Sequence, residues 1–275
     1  MGQHAVPEPG GHTTGRDGEA RAPRAEPDGP RAVLGRAVVA PAEGASVGGV
    51  VLVLPEGAPV STRGPSVLAR ARMAPLARSL ARAGAPEGLV VHVVRYTRRG
   101  WNGAEAALAA DADRAVQEVV RRYGDVPVCL AGHGMGGRAA LRAAGHPAVN
   151  SVLAMAPWLP EADEELEPEP VRQLVDRQVL IMHGTNDKRT DPELSYRLAE
   201  RAKKTHRDIC RFEVHSDGHA LRQHHAEVLA LASDFVLGAL LSRTYSRPVT
   251  DALAAPPPLG LRMPLAAGFG RSLRP

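Results

Sequence analysis

The feature that most narrows the possible folds is an alternation. From residue 36 to residue 241, short runs rich in Val, Leu and Ala trade places with stretches of helix length. Strand-like runs occupy 35–40, 50–54, 89–94, 126–131, 151–156, 178–182 and 209–214. The third is apolar throughout except for His92, as expected of a strand covered on both faces. Helix-like stretches lie between them. One spans 67–83, where Pro75 should kink it. Others span 104–123, 138–144, 192–203 (opening on Asp191-Pro192) and 221–241. The pattern predicts an α/β protein: a doubly wound, mostly parallel sheet of about seven strands flanked by helices. The first two strands, joined by a short connection through Pro41 and Gly44, are candidates for an antiparallel pair.

With 275 residues, 44% of them hydrophobic, the chain can bury one α/β core and still leave loose sequence over. Residues 1–31 repeat Pro, Gly and Glu without an apolar period, and read as a disordered tail. Residues 243–275, with three consecutive prolines from Pro256 to Pro258, read the same way. The folded domain is therefore expected over 32–242. The formal net charge of +4 is mostly a property of the second tail, which carries five arginines against one acid. The domain itself is close to neutral, so a nucleic-acid partner is not expected. Met1 to Gly15 lack an apolar signal core, and the most apolar helix candidate carries Glu227 and Asp234, so no membrane span is expected. Cys129 and Cys210 lie inside strand-like runs and read as buried small hydrophobes, which suits a reducing, cytoplasmic setting.

Open parallel sheets place their sites at the carboxyl ends of the strands. After the fourth strand comes Ala131-Gly132-His133-Gly134-Met135-Gly136-Gly137: strand, tight glycine turn, helix. This run resembles the nucleophile elbow of α/β-hydrolases, in the form Gly-His-Ser-Met-Gly-Gly, with glycine at the apex. His183-Gly184-Thr185-Asn186-Asp187 resembles that family's acid loop, and Ser216-Asp217-Gly218-His219 the loop that carries its histidine. The segment 95–103 resembles a glycine-rich loop of bacterial members. The motifs occur in the family's order over roughly 33–241, and the chain looks like a bacterial serine hydrolase of the dienelactone hydrolase or esterase type.

The resemblance implies a triad of Asp187, His219 and the residue at Gly134, which has no side chain to attack with. Ester hydrolysis through an acyl-enzyme is therefore expected to be absent. Met135 N–H would supply one oxyanion donor, and the second would come from Glu56, Gly57 or Ala58. The family's usual His-Gly start to that loop is here Pro55-Glu56, and a carboxylate beside a developing oxyanion would oppose it. His133 is expected to pack beside the elbow. Trp158 is expected at the pocket wall, and the acidic run 161–169 in a solvated loop. No cofactor is expected: the Gly132, Gly134, Gly137 spacing mimics a dinucleotide fingerprint, but it follows the wrong strand. No metal is expected either, since His215, His219, His224 and His225 show no repeated ligand spacing. Three functions remain in play. One is a pocket that binds a small or ester-like molecule. Another is an enzyme using His219 and Asp187 to activate water or move a proton. The third is a non-enzymatic interaction protein.

Overall fold

A computed structural model describes Met1 and residues 33–39, 46–161 and 167–271. The expected tail at 1–31 thus lies outside the described residues apart from Met1. Among the described residues, eight strands form one sheet: β1 (Val33–Ala37), β2 (Gly49–Leu54), β3 (Leu89–Arg95), β4 (Val128–His133), β5 (Val149–Met155), β6 (Gln178–Gly184), β7 (Ile209–Val214) and β8 (Met263–Pro264). Their order is β1-β3-β2-β4-β5-β6-β7-β8. Every pairing is parallel except β1 with β3. The antiparallel pairing expected of the first two strands is therefore made by β1 with β3, because β2 runs parallel between β3 and β4.

Among the described residues, seven α-helices cover the sheet: α1 (Val67–Arg72), α2 (Ala74–Gly84), α3 (Ala107–Tyr123), α4 (Met135–Ala143), α5 (Pro192–Thr205), α6 (His225–Leu241) and α7 (Arg247–Ala254). The stretch 67–83 is broken at Met73 rather than kinked, and Pro75 stands in the first turn of α2, where its missing N–H costs nothing. Periodicity explains the layering. On α3, Leu108, Ala112, Ala115, Val116 and Val119 share one face and are buried. That face joins α4 and α5 against one side of the sheet. Leu76 of α2, Leu231 of α6 and Val249 of α7 line the other side.

The segment from residue 243 corrects the expectation of a disordered tail. Residues 247–254 form α7, and Met263 and Pro264 pair with Phe212 and Glu213 of β7. Val249, Ala252, Leu261 and Leu265 are buried there. Its prolines and arginines look solvent-loving, but its few widely spaced apolar residues meet a ready surface on β7 and α6. Among the described residues, no helix is long and apolar enough to cross a membrane.

Candidate active site

The strand order reverses direction between β2 and β4, which opens a crevice at their carboxyl ends. The register pairs Leu54 with Gly132. Two residues further along each chain, Glu56 and Gly134 therefore stand at the same height on opposite sides of the crevice.

The elbow is built from backbone. Gly134 adopts φ +56° and ψ −121°, a conformation that is strained for residues with a side chain. Its N–H donates to Met155 O at 3.0 Å, and its carbonyl accepts from Trp158 N–H at 3.0 Å. Gly132 and Gly136 are required by close approach, since a Cβ on either would run into backbone, of Gly136 in one case and of Leu54 and Pro55 in the other. The α4 helix then leaves with Met135 at its first position.

The acid and histidine loops meet at this turn. His219 Nδ1 lies 2.8 Å from Asp187 Oδ2. Asp187 is further held by Thr190 Oγ1, which donates to Oδ2 at 2.6 Å, and by the backbone N–H groups of Arg189 and Thr190, which donate to Oδ1. Burial opposes the charge on Asp187, but these bonds, with those from His183 and His219, hold it well below the usual carboxylate range. The other face of the imidazole is unusual. His219 Nε2 lies 3.4 Å from Glu56 Oε1, where a catalytic hydroxyl would be sought. Burial works against a charged His219, but Glu56 and Asp187 on either side outweigh it and raise its pKa. Glu56 also shows two opposed influences. Burial favours its neutral form, yet His219, His133 and Arg189 keep it ionised more readily than usual. Arg189 Nη2 donates to Glu56 Oε1 at 2.6 Å.

Glu56 therefore faces the site. A Cβ built on Gly134 would lie 3.1 Å from Glu56 Cγ and 3.3 Å from Oε1. Of the proposed oxyanion donors, Ala58 N–H is already committed to Arg99 O at 2.7 Å. Gly57 lies close to Met135, whose Cβ is 3.5 Å from where a Gly57 Cβ would stand.

A cavity of about 670 Å³ opens over Glu56, His133 and His219. Its walls include Met73, Leu76 and Leu221, and Arg72, Arg189 and Arg222 add positive charge. His133 lies beside the elbow as expected. Its Nε2 is 2.8 Å from His219 O, and its ring meets the His219 ring edge to face. Trp158 corrects the expectation of a pocket wall. It is not among the residues lining this cavity, and its ring lies 5.2 Å from the Arg138 guanidinium. Trp101 stacks on the same arginine at 4.0 Å. Arg138 in turn pairs with Glu169 at 2.6 Å, and Glu169 is buried, so the acidic run is not wholly a solvated loop. Residues 162–166 of that run lie outside the described residues. His183 ties β6 to α5 through Ser195 Oγ at 2.9 Å.

Two residues of the site, Thr190 and Arg189, lie outside the motifs, and a third, Asp217, lies inside the histidine loop without a role read from it. The buried Asp217 carboxylate accepts from the N–H groups of Gly218, Arg222 and His224 and so shapes the loop that presents His219. A short polar side chain two to four residues from a loop motif is the signal for such local bonding. Arg189 has no comparable signal.

No family model matches the sequence, and no curated protein matches it. Solved structures do. The chain is similar to a protein of unknown function from Agrobacterium tumefaciens described as a candidate α/β hydrolase, with 16% identity over 79% of this chain and 99% of that one at a TM-score of 0.54. An α/β serine hydrolase without a lid, from Xanthomonas campestris, is 19% identical over 78% and 89% at 0.52. An esterase from Pyrococcus furiosus is 14% identical over 70% and 82% at 0.53. The fold is that of the α/β hydrolases.

Proposed function

We propose that this α/β-hydrolase-fold chain is related to serine esterases, lacks their acyl-enzyme chemistry, and uses the cavity above Gly134 to bind a small molecule. One observation carries this reading: the Glu56 carboxylate takes the space into which a residue-134 side chain would project, 3.3 Å from its Cβ. The absent hydroxyl and the opposing carboxylate point the same way. Losing the nucleophile of such a triad costs on the order of 10⁶ in turnover. A negative charge beside the oxyanion position would raise the barrier further. The apolar walls, together with Arg72 and Arg222, suit an amphipathic ligand with an acidic end.

The intact His219–Asp187 bond favours a second reading, in which the imidazole activates water or moves a proton on a bound substrate. Hydrolysis of short p-nitrophenyl esters separates the two. Wild type is expected to stay near the buffer rate, and so is Gly134→Ser alone, because Glu56 crowds the new side chain. The double variant Gly134→Ser/Glu56→Gly should gain about 100-fold or more over wild type, a small part of what a nucleophile supplies. Wild-type turnover that disappears in His219→Ala would reject the first reading in favour of the second.

A further inference from the structure

Glu56, His133 and His219 stand at or just beyond three strand ends, separated by 77 or more residues of chain, yet one ligand atom of each lies within 4.8 Å of the others. The spacing rules that find metal sites in sequence have nothing to act on here. The geometry does. Two ligands about 2.0–2.2 Å from a tetrahedral ion stand about 3.4 Å apart, which is the separation of His219 Nε2 and Glu56 Oε1. That Nε2 has no hydrogen-bond partner, although the His219 side chain is only 8% exposed. With Nδ1 engaged by Asp187, Nε2 is the ring nitrogen of His219 left to face Glu56 and the crevice. A carboxylate behind a metal-facing imidazole is the usual outer support of such a ligand. His133 is held by its Nε2 bond to His219 O, and one of its ring nitrogens lies within the group. Gly134 contributes only backbone, so no side chain of the turn competes for the space that the Glu56 carboxylate enters.

We propose that Glu56, His133 and His219 form a three-ligand site for a divalent transition metal of the zinc class, with its fourth position open to the cavity. Two imidazoles and one carboxylate suit such an ion. Arg189, with its side chain 62% exposed, pairs with Glu56 at 2.6 Å and so competes with the ion for that carboxylate. The site stands apart from the absence of acyl-enzyme chemistry, which rests on Gly134 and holds with or without a metal.

The test uses full-length protein stripped with a chelator, then titrated with Zn²⁺ against a chromophoric competitor and with Co²⁺ in the visible range. One ion per chain should bind, and Co²⁺ should give the intense absorption of four-coordinate geometry. Glu56→Gln keeps the shape of a partly exposed side chain and should weaken binding about 10-fold or more. Arg189→Ala should strengthen it severalfold. His215→Ala, which removes an exposed histidine, should leave it unchanged. Affinity equal to wild type in Glu56→Gln, loss of binding in His215→Ala, or a pale six-coordinate cobalt spectrum would each overturn the proposal. Equal thermal midpoints of the metal-free wild type and Glu56→Gln show that any loss is not a failure to fold.

Discussion

Glu169 shows how far one side chain can depart from its neighbours. It ends an acidic run, yet it is 2% exposed, bonded to Arg138 and Arg142, and its carbonyl accepts from Arg201. The Arg138 guanidinium is held between Trp101 and Trp158. Removing the acid strands a desolvated cation, which typically costs about 3–5 kcal/mol. Glu169→Ala should therefore lower the urea midpoint markedly, whereas Glu167→Ala, at an exposed position, should leave it within error. Legibility at this scale was uneven. Asp187 and His219 are readable because strand-end motifs carry them. Glu56 was visible as an oddity, but its orientation was not, because it depends on the register between β2 and β4, strands some 75 residues apart. The position of Trp158 escapes the sequence for a related reason: its neighbours say it follows a strand, not which way its ring turns.

At the scale of elements, the alternation of runs anticipated seven of the eight strands, and helix ends drifted by a few residues where caps are weak. The element that composition concealed is the C-terminal one. Lys203 Nζ donates to the carbonyls of Ala252 and Leu253, and Arg211 Nη1 donates to Leu261 O. The buried Arg211 and the half-buried Lys203 thus depend on the segment after α6. A chain ending at Ser242 would also expose the surface that Val249, Leu261 and Leu265 cover, at about 1.5–3 kcal/mol per large side chain. With roughly 2–4 °C lost per kcal/mol in a domain of this size, its thermal midpoint should fall by roughly 10 °C or more. A midpoint equal to that of the full chain would show that the segment only rests on the domain.

For the molecule as a whole, Cys129 of β4 and Cys210 of β7 are inaccessible reporters placed in the same core. Burial pushes both thiols up to about 12, so about one in 10⁴ would be ionised at pH 8. Native protein should resist a thiol-specific disulfide reagent, and both residues should react together, at a rate that rises with urea as the sheet opens. Rapid labelling of either in buffer alone would mean that the sheet opens locally rather than as a unit.

Gly134 and Glu56 also set a direction on evolutionary change. A serine arriving first at the turn meets an occupied space and a positive φ with nothing gained. A smaller residue arriving first at position 56 removes the obstacle and leaves the turn relaxed. Of the two orders in which these two substitutions can occur, only the second avoids a strained intermediate, so the substitutions are coupled in order as well as in effect.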